Sequence, residues 1–320
     1  MLKLPFKVIL AIVGKVVALV LGVLLSLVLL VWGGLNIAKF FIYSDYYGMK
    51  TDICINPGLG DGFVCQGICY VDEYEKILVS GYMKDGSASR VYVTDRDDDS
   101  FYVTLTKDGE PFDGHVGGIA GNGNVVYIAD DERLYALSVK EILNAEEGDA
   151  VEISDHAKVN NSASFCFADD EYVYVGEFHD GGKYVTDHPY DTDDGTYYAI
   201  MSRYKHSDLT KPDRVYSIRN KVQGMCMTDD GRIVLSTSYG LSDSVYYVYD
   251  ESEAVDSGLT LDGAPVYYLT ECERSFKGPA MAEGLDFTDG KVITLTESAS
   301  DKYIFGKFFF ANKIVGLDID

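Results

Sequence analysis

Tryptophan is almost absent from this 320-residue chain: the single one, Trp32, lies in the first forty residues. Proline is scarce at seven, and basic residues are outnumbered, 27 Lys and Arg against 51 Asp and Glu. Acid is missing altogether from residues 1–40, which carry four lysines (Lys3, Lys7, Lys15 and Lys39). The remaining 280 residues therefore hold 23 basic against 51 acidic side chains, a net of −28 within an overall −24. So acidic a surface excludes nucleic acid as a partner, because phosphate binding needs a basic footprint. Also lacking are the GxSxG elbow, the P-loop, GxGxxG, CxxC and any His–Cys spacing suited to zinc. What is abundant is 32 Gly, 25 Tyr and 15 Phe in a chain that is 47% hydrophobic, which excludes a disordered tail and supports a real core.

One long apolar run stands out. Val16–Ile37 carries no charge across twenty-two residues, long enough at ~1.5 Å per residue to cross a ~30 Å hydrocarbon core. Trp32 near one end, followed by Tyr43, Tyr46 and Tyr47, suits a membrane interface. Lysines before the span set the orientation by the positive-inside rule. The chain reads as a cytoplasmic N-terminus (1–15), a transmembrane signal anchor (16–37), a linker (38–50) and an extracytoplasmic domain (51–320), single-pass at the cell membrane. A cleaved signal peptide is the alternative, although the run is long for one and no small-x-small site follows it.

Beyond residue 50 a pattern recurs five times: a small or polar residue, Gly, an alternating apolar strand, an Asp/Gly-rich turn and a second strand. It starts at Gln66-Gly67, Gly117-Gly118, Ala163-Ser164, Gln223-Gly224 and Glu283-Gly284. The spacing suits four-stranded blades and predicts an all-β fold, a five-bladed β-propeller preceded by one transmembrane helix, with six blades as the alternative. Third strands are expected at 90–94, 133–137, 197–204, 245–249 and 313–319. Fourth strands are expected at 101–106, 150–154, 213–218 and 265–270. The last blade has none of its own, so Thr51–Ile55 is expected to close the ring. A short helix is expected at Val139–Ala145, and Ile304–Asn312 as a loop packed on the barrel or the membrane surface.

Cys69, Cys166 and Cys226 fall at one position of the first strand in three blades, which reads as packing at a crowded centre. Cys54 paired with Cys65 or with Cys272 is the disulfide this spacing permits.

The register also gathers polar residues toward one axis: Gln66, Gln223 and Glu283 beside first-strand glycines, with His115 nearby. The ends of the second strands add Asp130, Glu177, Thr237 and Glu297. A ring of carboxylates suits a hard cation, so Asp130, Glu177 and Glu283 form a candidate site for Ca²⁺ or another divalent ion. Glu283, Glu297 and His115 could instead form an acid–base set, with Gln66, Gln223 and Thr237 binding the ligand. The functional expectation is a membrane-anchored, ligand-binding or interaction propeller with no identified partner beyond the membrane. The alternative is a hydrolase, lyase or cyclase working at the channel mouth.

Blade one, Phe63-Val-Cys-Gln66-Gly67-Ile-Cys-Tyr70 followed by Leu78–Tyr82 and Ser87–Arg90, resembles the first blade of plant-type glutaminyl cyclases. That resemblance, over about thirty residues, implies a five-bladed propeller with a cation in its channel, and it carries over Gln66 alone. The family's glutamate after the second strand corresponds here to Val79 or Ser80. Its Glu-Gly-Trp-Gly segment corresponds to His115–Gly118.

Overall fold

The computed structural model describes residues 5–309 and 311–320; Lys3 and Phe310, drawn on above, lie outside the described residues. Phe6–Ile42 forms one α-helix, 37 residues long, apolar enough to cross a membrane and packed against little protein. Its serine and its asparagine satisfy themselves locally, Ser26 donating to the Gly22 carbonyl and Asn36 to that of Trp32, both at 2.9 Å. The segment 38–50, expected as a linker, is helical almost throughout, since a second helix at Ser44–Met49 follows a break at Tyr43. Tyr43 and Tyr46 do not form a membrane belt. Both are buried against the propeller, Tyr43 donating to Asp243 at 3.0 Å and Tyr46 lying 6.1 Å from the Tyr246 ring.

The rest is a five-bladed propeller. Blade one contains Phe63–Val71, Lys76–Met83, Arg90–Thr94 and Ser100–Lys107. Blade two contains Gly118–Asn122, Val125–Asp130, Arg133–Ser138 and Ser154–Lys158. Blade three contains Phe165–Ala168, Tyr172–Gly176, Ala199–Lys205 and Arg214–Ile218. Blade four contains Val222–Met227, Arg232–Thr237, Ser244–Asp250 and Cys272–Gly278. Blade five contains Ala282–Thr288, Lys291–Thr296 and Lys313–Leu317, and is completed by Lys50–Ile55 pairing antiparallel to 313–317, as the sequence predicts.

Two expected fourth strands belong elsewhere. Ala150–Glu152 adds in parallel to the outer edge of blade one, and Ala264–Tyr268 does the same to blade three. The true outer strands of blades two and four are 154–158 and 272–278. The long connections 179–196 and 251–264 hold strands but, among the described residues, no sixth blade: Val255–Leu261 extends blade three, and 190–192 pairs with 195–197 in a small hairpin. The helix at Val139–Asn144 forms, capped by the Ser138 hydroxyl.

Second strands such as Lys76–Met83 are buried on both faces because each sheet is sandwiched between its neighbours, hence their near-continuous apolar runs. Four of the five turns where first strands end use left-handed residues, as at Asp289-Gly290, φ 52° and 71°, the two-residue hairpin that matches strand twist. The first-strand glycines answer a different need. A Cβ on Gly67 would lie 2.5 Å from the Ile119 nitrogen, and one on Gly284 2.8 Å from that of Ile68. Inner strands of adjacent blades therefore touch backbone to backbone, closing the ring tightly at that level.

All six cysteines are free thiols, and neither expected disulfide is present. Cys69, Cys166 and Cys226 are buried at the axis, as the repeat predicts.

Candidate functional site: a carboxyl pair in the axial cavity

At one end of the glycine ring lies a cavity of about 770 Å³. Its floor is made by an irregularity repeated in three blades. Pairing between first and second strands shifts register at Cys65/Gly67, at Val222/Gly224 and at Ala282/Leu285, so Gln66, Gln223 and Glu283 are the bulged residues. A bulge bends the strand and re-aims the extra side chain, here into the cavity. Beside them, Val116, Ala163 and Met281 have positive φ (46°, 46° and 64°), a conformation costly above all for β-branched valine. The strained turn at Val116 is held by its amide donating to Asp130 at 2.9 Å, and that at Ala163 by donation to Asn161 at 3.0 Å.

Glu283 is buried and receives a 3.3 Å hydrogen bond from the Gln223 amide. Glu297, from the turn after the second strand of blade five, accepts from the Gln66 amide at 3.1 Å and the Tyr303 hydroxyl at 3.0 Å. Burial pushes the Glu283 carboxyl well above the usual range, the neighbouring Glu297 charge pushes it further, and Lys302 opposes both. Burial likewise raises Glu297 to about 7, against the pull of Tyr303, Lys302 and Gln66. Two neighbouring carboxyls whose pKa values are both raised resist ionising together, which favours one proton shared by the pair near neutral pH.

Around the pair stand groups that no repeat marks. The Lys302 ammonium donates to the Tyr82 hydroxyl and sits 4.5 Å from the Tyr82 ring centroid and 5.2 Å from that of Tyr303. His115 stacks on Tyr82 at 4.6 Å. Its ring opens onto the cavity, yet desolvation and the charges of Lys302 and Lys183 lower its pKa to about 4, so it is neutral at physiological pH. Phe178, Tyr184 and Tyr239 complete an aromatic wall, with Phe178 5.5 Å from Tyr184 and 6.0 Å from Tyr239.

The structure thus brings Gln66, His115, Asp130, Gln223, Glu283 and Glu297 to one cavity, six of the eight residues singled out in the sequence. Thr237 does not line it; its hydroxyl donates to the Val245 carbonyl at 3.0 Å, and the next residue, Ser238, takes the place at the wall. Glu177 is also absent. Its carboxylate is occupied by the amides of Ser162 (3.3 Å) and Ile200 (3.1 Å) and by His188 (2.9 Å), which ties down the 179–196 loop. The expected cation set Asp130, Glu177 and Glu283 is therefore not assembled, and among the described residues no group of three His, Cys, Asp or Glu is placed to hold a metal ion. Sequence reasoning missed Tyr82, Lys183, Lys302 and Tyr303. The last three sit in irregular loops with no periodicity to betray them, and their only signal is a basic–aromatic doublet (Lys183-Tyr184, Lys302-Tyr303).

No family model matches this chain, and no curated protein matches it. Solved structures similar to it include Kuenenia stuttgartiensis hydrazine synthase, at 10% identity and TM-score 0.39, covering 73% of this chain. This chain spans about half of that one, 55%. The PQQ-bound aldose sugar dehydrogenase of Streptomyces coelicolor aligns at 13% identity and TM-score 0.41, over 77% of this chain and 76% of that one. The WD40 β-propeller domain of Doa1 aligns at 10% identity and TM-score 0.42, over 77% and 79%. Likenesses this distant say nothing of ligand or activity. No family match supports the resemblance of blade one to glutaminyl cyclases, and the five blades stand on their own sheets.

Proposed function

We propose that this chain is a membrane-anchored propeller that binds a small, neutral, hydrogen-bonding ligand in its axial cavity. In this reading residues 16–37 span the cell membrane, 1–15 are cytoplasmic and 51–320 are extracytoplasmic. The observation that carries it is the Glu283–Glu297 pair, kept partly protonated by burial and flanked by Gln66, Gln223 and Tyr303. Amides, hydroxyls and a protonated carboxyl both donate and accept, the equipment for a polyhydroxylated molecule, and aromatic walls suit its apolar faces. A site meant for a cation would not place Lys302 beside its carboxyls, and one meant for an anion would not bury two carboxyls.

The test is thermal unfolding of the full-length protein in detergent with neutral polyols and sugars, amines and carboxylates. A neutral polyol or sugar is expected to raise Tm, by the equivalent of ~2.7 kcal/mol at one hundred times its Kd. Glu283→Gln should keep that response and Glu283→Leu should lose it. Stabilisation by amines alone, abolished in Glu283→Gln, would overturn the neutral-ligand reading.

A second reading rests on the raised pKa of Glu297, about 7, beside a still more raised Glu283. Such a pair could serve as base and acid for a hydrolase, lyase or cyclase, with neutral His115 as an acceptor. In that case Glu283→Gln would keep ligand binding yet abolish turnover.

A further inference from the structure

We infer that the cavity-bearing face of the propeller rests on the bilayer that holds the anchor helix, so that the cavity opens into the headgroup layer. The inference builds on the anchor reading and adds an orientation to it.

The helix reaches the propeller on the cavity side. Lys39 donates to the Phe309 carbonyl at 3.3 Å, in the same loop as Lys302 and Tyr303. Tyr43 donates to Asp243, in the same loop as Ser238 and Tyr239. No slack separates helix from domain, because Phe6–Ile42 is continuous and Tyr43 and Tyr46 are buried at its end. From residue 37 to residue 43 a helix rises only ~9 Å, comparable to the ~5–7 Å headgroup layer on each side of a bilayer. That face is therefore within reach of lipid.

Its chemistry fits. Three rim loops expose apolar side chains together: Ile304 at 76%, Val185 at 69% and Leu241 at 51%, with Tyr184 and Tyr239 beside them. Lys183 and Lys302 stand among them, and Tyr and Lys beside apolar residues are the composition of an interfacial contact. The opposite face differs. Its hairpin turns carry Asp72-Glu73, Asp169-Asp170-Glu171, Asp229-Asp230 and Asp289, and among the described residues none of those turns exposes a large apolar side chain. The cavity loops carry acids of their own, among them Asp180, Asp187, Asp243 and Asp301, so what separates the two faces is the exposed apolar rim of Ile304, Val185 and Leu241 and not the charge.

The experiment uses the full-length chain in phosphatidylcholine vesicles with and without lipids brominated near the top of the acyl chain. Wild-type Trp32 reports the anchor itself. In a Trp32→Phe background, Ile304→Trp and, independently, Val185→Trp report the rim, while Asp170→Trp reports the far face. Brominated lipid is expected to remove more than about half of the emission at 304 and 185 and to leave 170 unchanged. Trp32 quenched while both rim positions stay bright in brominated lipid and open to acrylamide would overturn the inference and leave the anchor standing. Rim positions shielded from acrylamide but unquenched by brominated lipid would point to a second copy of the chain on this face, and would overturn it too. An unquenched Trp32 would overturn the anchor and the inference with it.

Discussion

Asp286 sits on the inner strand of blade five at the position where three other blades have cysteine. One carboxylate oxygen accepts from the Tyr70 amide at 2.6 Å and the other from the Phe287 amide at 2.8 Å. Burial nevertheless dominates and raises its pKa to about 7 from 3.8. Because the folded value lies above the unfolded one, the native state holds the extra proton. The stabilisation is complete below the unfolded pKa and is lost as pH rises through about 7. Three units correspond to about 4 kcal/mol, and partial solvent access lowers that to about 2–4. Asp286→Asn removes the titration and costs a pH-independent ~1–3 kcal/mol, since an amide matches only one of the two donors. The assay is denaturant unfolding of full-length protein in detergent, from about pH 5, above the pI, to about pH 8.5. Over that window the wild type should lose about 2 kcal/mol relative to the variant. A difference constant across the window would refute the assignment of a raised carboxyl at this position.

The glycine ring offers a second test: a Cβ on Gly118 overlaps the Cys166 backbone nitrogen, so Gly118→Ala should cost about 2–3 kcal/mol in thermal unfolding. Gly60→Ala, where nothing lies within 4 Å, should stay within ~0.5 kcal/mol. Tyr46→Ala removes a buried ring that stacks near Tyr246 and touches Gly278, and a loss of about 3–5 kcal/mol is expected. Native alkylation followed by mass spectrometry should label only Cys272 readily, the other five thiols being buried. After denaturation without reductant all six should react, and any disulfide would lower that number.

The inner strands were legible in the sequence because packing repeats itself there: each blade needs a small residue where backbones touch, then an apolar strand between two sheets. The outer strands 100–107 and 214–218 and the closing strand 50–55 were legible too, but those of blades two and four were not, since 150–152 and 264–268 are short segments whose parallel pairing with blades one and three depends on tertiary fit alone. Tyr43 and Tyr46 were misplaced for a related reason, as an amphipathic ring beside a membrane span suits lipid headgroups and a protein core equally. At the site, Gln66, Gln223 and Glu283 were readable because one bulge recurs at one register position. Glu177 and Thr237 were misjudged because a strand's last residue can turn either way. Lys302, Tyr303 and Lys183 lie in loops, where only the folded chain shows what they face.

The central claim is a carboxyl pair that keeps a proton on the cavity floor, and infrared difference spectroscopy of wild type against Glu283→Gln tests it most directly. Measured at about pH 7.5, above the Asp286 transition, the difference spectrum should contain the carbonyl stretch of a protonated carboxyl that the variant lacks. A spectrum showing only the loss of an ionised carboxylate would contradict the account.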